Sequence, residues 1–273
     1  MTLLLRTRGQ CDFDAEHLLD VFSQQRQRFI AVLQAFGAAE WRSPTRCAEW
    51  SAHEVVRHLC DTNMNAVASE PADRALGTSS GFDPRTTPRQ WLTASEGEAP
   101  GDTLSRFVKT TERRFARDRA RLADGLSFDV HLPYGQVDWT VRMLHGFWDS
   151  WLHERDVLLA SGCEHPTNGD ATIYATAYGL FIAGAVASRF SARVQEKLTL
   201  GGDGGGVFDL DNRDGVMLTV TRATTDGPPA ALAADALAGR GSADALGDLP
   251  ASSRAALMLM ADFFNTPVAP SQT

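Results

Sequence analysis

The sequence predicts a mainly α-helical protein, a bundle of four long helices with a fifth packed on it, followed by a small α+β unit. Three observations predict this. Between residues 15 and 197 apolar side chains recur at helical spacing, start and stop signals flank those stretches, and near Leu198 the pattern changes to glycine-rich turns and alternating β-branched residues. The expected division is a helical bundle over residues 1–197 and a small α+β domain over residues 198–273.

The first helix spans residues 15–37, with Leu18, Val21, Phe22, Phe29, Val32 and Leu33 on its apolar face and Gly37 as its stop. An irregular segment, AEWRSPTRCAEW, leads to Ser51-Ala52-His53-Glu54, a capping box that starts a second helix. Residues 71–100, rich in Pro, Gly, Ser and Thr, read as a long surface loop. A third helix runs from Asp102 through Leu104, Phe107, Val108, Phe115 and Leu122, with its arginines expected on a solvated side. The fourth runs from about Asp138 to Ser161 and stops at Gly162; the fifth, from Ala171 to about Lys197, is rich in Ala and Gly and suits close packing. Beyond it, GGDGGG at 201–206 lacks the Lys-Ser/Thr of a phosphate loop and reads as a turn between strands. Val216, Leu218 and Val220 alternate as a strand does, ALAADALAGR and SSRAALMLMADFF read as helices, and a disordered tail is expected after Thr266.

Charge and composition exclude some functions. With 26 Lys and Arg against 34 Asp and Glu, there is no excess of positive charge to neutralise a phosphate backbone, so no nucleic-acid partner is expected. No run approaches the about 18 apolar residues that span a bilayer, so no membrane partner is expected and the protein is placed in the cytoplasm. Cys11, Cys47, Cys60 and Cys163 are scattered, without a CxxC pair, and read as reduced, buried small hydrophobes.

The fourth helix carries the most informative residues. His145, Asp149 and His153 stand at i, i+4 and i+8, so they share one face, each step turning by about 40°. Imidazole and carboxylate are ligands that zinc and related divalent ions accept. A third ligand must come from elsewhere, and His58 is the best donor, since among Val55, Val56 and Leu59 a bare imidazole needs a partner. Ordinary core packing is the competing reading of each. His145 is an extra ligand, a proton carrier or packing; His53 lies about 140° around its helix from His58 and reads as surface. Asp156 either holds a ligand imidazole or makes a salt link in the neighbourhood of Arg155.

The runs WRSPTRCAEWSAHEVVRHL and FWDSWLHERD together resemble the mycothiol-dependent maleylpyruvate isomerase family, within the wider DinB-like metalloenzymes. The resemblance is clear over about residues 15–200 and loose beyond, where DALAGRG resembles a Gly-Arg element of the small C-terminal domain. It implies a DinB-like four-helix bundle with one divalent metal, zinc first, on His58, Asp149 and His153. The maleylpyruvate isomerase itself has Glu at the position of Asp149, whereas the shorter Asp of this chain matches other members of the family, which leaves another substrate equally open. With three protein ligands a fourth position stays open, as in catalytic zinc sites.

The resemblance also implies mycothiol, a pseudodisaccharide thiol, as cofactor or co-substrate. It would attack a small-molecule electrophile, giving cis-trans isomerisation or S-transfer. Arg240 is then a candidate anion clamp, with His145 the other catalytic candidate, and Trp50, Trp148 and Trp151 are candidate pocket walls for the thiol. A metal-dependent hydrolase using activated water and a non-catalytic small-ligand-binding protein are the alternatives.

Overall fold

The computed structural model describes residues 2–7, 9–68, 83, 86–132, 135–166 and 168–265. Four long helices, α1 (Ala15–Gln34), α3 (Ala52–Ala68), α5 (Pro100–Ala123) and α6 (Trp139–Ala160), pack around a shared interior, α5 lying against α1 and α3, and α6 against both. The signals in the sequence account for their ends. Asp14 caps α1 by accepting from the His17 amide at 2.8 Å. At α3, Glu54 accepts from the Ser51 amide at 2.8 Å while the Ser51 hydroxyl accepts from the Glu54 amide at 3.3 Å, so the capping box is present. Asp138 caps α6, and Gly162, at φ +74°, ends it in a left-handed turn that glycine adopts without strain.

Helix α7 (Gly169–Arg189) is buried nearly all round, between the bundle and a four-stranded antiparallel sheet. By length and apolarity it could cross a membrane, but 94% of its most apolar window is covered by the fold. The sheet has strand order β1 (Thr2–Arg6), β6 (Met217–Arg222), β5 (Gly206–Asp211) and β4 (Gln195–Leu200). GGDGGG is the turn joining β4 to β5, as expected. Helices α8 (Ala230–Leu237) and α9 (Ala251–Asn265) cover the other flank of α7. One apolar cluster therefore runs from Phe22 and Phe147 of the bundle through Phe181 of α7 to Phe208 and Leu218 of the sheet.

Several expectations are corrected. The fifth helix ends at Arg189, because QEKLTL at 195–200 pairs with β5 despite its helix-compatible composition, so a strand crosses residues 197 and 198. The TLLLR segment, unassigned in the sequence, pairs with β6, Leu3 opposite Val220 and Leu5 opposite Leu218. Gly37 is not a left-handed stop; at φ −86° it opens a short helix, α2 (Ala38–Arg42). Within the expected 71–100 loop, α4 (Thr87–Ala94) forms with Pro88 in its first turn; residues 71–82, and the tail from 266, lie outside the described residues. Before α6 a hairpin forms from β2 (Asp129–Leu132) and β3 (Gly135–Asp138).

The α5 arginines are not all solvated. Arg114 and Arg121 are buried, Arg114 stacked over the Phe22 ring at 4.9 Å and seated where residue 146 has no side chain. A Cβ on Gly146 would fall 2.1 Å from the Arg114 Nη2. Of the cysteines, all unpaired, only Cys60 is buried as expected; Cys11 and Cys47 are half-buried and Cys163 is exposed.

Candidate metal centre

Asp149 and His153, one turn apart on α6, face His58 of α3 across the bundle. The Nε2 atoms of His58 and His153 approach the same oxygen, Asp149 Oδ1, at 3.6 and 3.5 Å. These separations are too long for good hydrogen bonds. They are close to the roughly 3.4 Å between ligand atoms of a tetrahedral ion with bonds of about 2.0–2.2 Å. The remaining Asp149 oxygen and the His58 Nδ1 are buried without a hydrogen-bond partner. Two imidazoles and a carboxylate, converging and incompletely satisfied, fit a divalent cation.

Charge in the group is strongly coupled. Burial alone would push the Asp149 carboxyl up, but the facing imidazoles hold it well below the usual carboxylate range. Burial would push His153 down, and Asp149 with Asp156 instead raises it to about 9. A cation held by the group would displace that proton, so ion binding and proton release would be linked.

Outside the group, His153 Nδ1 lies 3.2 Å from Asp156 Oδ2, which orients the ring with Nε2 inward. Asp156 in turn accepts from Arg240 Nε and Nη2 at 3.0–3.1 Å, so it contacts the His153 imidazole and makes a salt link at once, though to Arg240 and not to Arg155, which pairs with Asp235. Arg240, expected to hold a substrate carboxylate, has those donors on the protein's own Asp156 and its Nη1 on the Ala238 carbonyl. Through Asp156 it is linked to His153.

The remaining candidates separate. The Trp50 ring lies 5.0 Å from that of His58 and 5.9 Å from that of His153, so it walls the centre. Trp148 packs beside Tyr178 and His145, and Trp151 is buried against His165 with the Arg155 guanidinium over it, turned away from the group. His145, one turn before Asp149, pairs through Nδ1 with the Tyr178 hydroxyl at 2.9 Å; burial lowers its pKa to about 4. A neutral His145 offers hydrogen bonds and no charge. His53, expected at the surface, is half-buried, its Nε2 2.8 Å from Thr103 Oγ1.

Some neighbours were not singled out from the sequence. Cys47 brings a thiol within 4.8 Å of ligand-capable atoms of His153 and Asp156. Arg46 joins Asp156 to Asp235, which also accepts from Arg155 Nε at 3.1 Å. WRSPTRC supplied the residue types, but only the loop's return against α6 gives them partners. Beyond Trp50 a cleft of about 320 Å³ opens, lined by Glu49, Glu54, Arg57, Arg89 and Glu96.

The fold and this centre define a class: a mainly helical protein with a His-Asp-His group of metal-ligand composition inside its bundle. The chain belongs to the family described as the mycothiol maleylpyruvate isomerase N-terminal domain, whose model matches residues 22–158 and so contains all three residues of the group. Two solved structures share the fold, one described as the mycothiol-dependent maleylpyruvate isomerase and the other as a histidine-to-alanine mutant of it. They are 14% and 15% identical to this chain, with TM-scores of 0.58 and 0.55, each comparison covering 85% of this chain and 91% of the other. No curated protein matches the sequence.

Proposed function

We propose that the protein is a divalent-metal-dependent, mycothiol-dependent enzyme that turns a small thiol on an electrophile, by cis-trans isomerisation or S-transfer. The observation carrying this reading is the convergence of His58 Nε2 and His153 Nε2 on Asp149 Oδ1, inside the segment that matches the family. We assign the four bundle helices to the DinB-like class and the metal, zinc by preference, to His58, Asp149 and His153. A divalent cation there would lower the pKa of a thiol in its open position and supply a nucleophile at neutral pH.

The chain's own residues do the rest. Asp156 fixes the His153 tautomer, with Nδ1 as donor and Nε2 free to ligate. Trp50 shields one side of the centre, and the charged cleft beyond it suits the hydroxyl-rich body of a pseudodisaccharide. His145, neutral and bonded to Tyr178, is placed to pass a proton rather than hold an anion. Asp156 is committed to Arg240 and His153, which leaves it unsuited as the base of a hydrolase and favours thiol chemistry. The helical part, residues 1–197, carries the chemistry in this reading. Residues 198–273, with β1 in their sheet, brace it through Arg240 and Asp235, in a cytoplasmic protein.

The test is elemental mass spectrometry of wild type and His153→Ala, with mycothiol binding followed in both. Near one equivalent of metal in wild type, lost in the variant together with thiol binding, is the expected result. A metal-free wild type prepared without chelators would overturn the reading.

A further inference from the structure

The bundle interior holds a charge that the proposed chemistry does not use. Arg26 of α1 is 1% exposed, and its Nε, Nη1 and Nη2 are all buried without a hydrogen-bond partner. Among the described residues it makes no ion pair either. Its guanidinium lies over aromatic faces instead, 4.7 Å from the Phe107 ring and 5.3 Å from that of Phe22. A cation taken out of water is normally matched by an acid and by hydrogen-bond acceptors. Aromatic faces offset part of that cost and leave every N–H without an acceptor.

The register of α1 against α6 sets this guanidinium at the level of the metal centre. Gln25 donates to the Ser150 carbonyl at 3.4 Å and accepts from the Ser150 hydroxyl at 2.6 Å, and Ser150 follows Asp149 in the chain. Burial, and then Arg114, push the pKa of Arg26 down to about 9, while Asp149 acts the other way, so the group stays charged at neutral pH. Neither acid in its surroundings is its own. Glu154 is closed by Arg28 at 2.8 Å, Gln25 at 3.0 Å and His165 at 3.1 Å, and Asp149 faces His58 and His153. Arg114, also over the Phe22 ring, meets Asp118 only at 3.6 Å and supplies no relief.

A divalent ion on two neutral imidazoles and one carboxylate leaves one positive charge in excess, and Arg26 adds another without a counter-charge. A buried excess of that kind is relieved by an anion and not by a neutral molecule. We propose that Arg26 makes the centre a site for a cation and an anion together, weakening the hold on the bare metal ion and strengthening the hold on an anionic ligand in the open position. This rests on the metal reading above and narrows it: a small thiol is held as thiolate, and a neutral ligand gains nothing from Arg26. Arg26 is a positioning charge that acts through its field. At an effective dielectric constant of about 20, a unit charge shifts the binding of another by about tenfold even at about 10 Å.

The test uses the full chain loaded with cobalt(II), whose visible spectrum reports its ligands, as wild type, Arg26→Met and Arg26→Lys. Chelator competition measures the hold on the ion, and titration with thiocyanate and, separately, with neutral imidazole measures the open position. Met fills the space between Phe22 and Phe107 without charge, and removing an unpaired buried cation does not unfold a chain; circular-dichroism melts check this. Arg26→Met is expected to hold bare cobalt about tenfold more tightly than wild type and thiocyanate about tenfold more weakly, with imidazole changed by less than about threefold. Arg26→Lys keeps the charge and stays near wild type. A merely loosened fold weakens ion and anion together, so the opposite signs separate a field from a structural role. Equal thiocyanate affinity in wild type and Arg26→Met, or both affinities weakened, overturns the role of Arg26. Wild type that takes up no cobalt overturns the metal reading and this inference with it, so the two failures are told apart.

Discussion

Asp149 and Asp235 are both carboxylates facing two nitrogen-bearing side chains, and the fold completes them differently. Asp235 of α8 accepts from Arg46 at 2.7 and 3.2 Å and from Arg155 at 3.1 Å, so both its oxygens are taken and α8 is tied to α6 and to the segment before α3. Asp149 meets two imidazoles at 3.5–3.6 Å and keeps one oxygen buried without a partner. A buried carboxylate closed by guanidinium groups is part of the frame. One left open among imidazoles is, in the proposed function, the place for a cation.

Replacing each acid breaks or upholds that contrast most directly. Asp235→Asn strands two guanidinium groups without their counter-charge, for which the expected cost is about 3–5 kcal/mol. That is a fall of roughly 10 °C in melting temperature for a chain of this size. Metal content should be kept. Asp149→Asn should reverse the pattern, with bound metal falling from near one equivalent to almost none and a smaller change in the melting temperature of the stripped protein. Scanning calorimetry beside elemental mass spectrometry reads both, and equal metal loss in the two variants would erase the distinction.

A residue that belongs to both regions sharpens it. Asp156 touches His153 on one side and Arg240 on the other, so Asp156→Asn keeps the shape but weakens the hold on the imidazole. Metal affinity should drop by about 10–100-fold, the usual effect of losing a ligand's outer partner. Competition with a chromophoric chelator measures it, and an unchanged affinity would place Asp156 in the frame alone.

The two regions were not equally legible in the sequence. Asp149 and His153 share a helix face because one turn separates them, and His58 has apolar neighbours, but core packing explained these patterns as well, and it was the resemblance to the family that set the three together. Both signals are local. The partners of Asp235 and Arg240 lie 80–189 residues away, and no periodicity reports a pairing at that range. Arg114 misled for the same reason, since a cation on an amphipathic helix reads as solvated until Phe22, Asn63 and the missing side chain at Gly146 are brought to it. β1 was invisible because its partner β6 lies more than 200 residues on, and QEKLTL was taken into a helix because only pairing with β5 makes it a strand.

The smallest effect concerns the other histidine of α3. His53, five residues before His58, is closed where His58 is open: its Nε2 meets Thr103 Oγ1 and its ring stands edge-on to Trp41 at 5.7 Å. Burial lowers its pKa and Arg57 and Arg106 add to that, while Glu98 and Glu54 act the other way without reversing it. The unfolded chain, with an imidazole pKa of about 6.5, therefore takes up a proton that the folded chain still refuses as pH falls. The stability due to this group is complete above about pH 6.5 and is lost as pH drops toward the folded value. His53 is half-buried, so solvent screening keeps the contribution small. Urea unfolding of stripped wild type and His53→Gln on either side of that range should show wild type losing more on acidification. His145, also shifted downward, contributes in both proteins, so the difference between them isolates His53. Equal losses would mean that Thr103 holds the charged and neutral rings alike, and that an imidazole on α3 needs more than one closed bond to be set apart from a ligand.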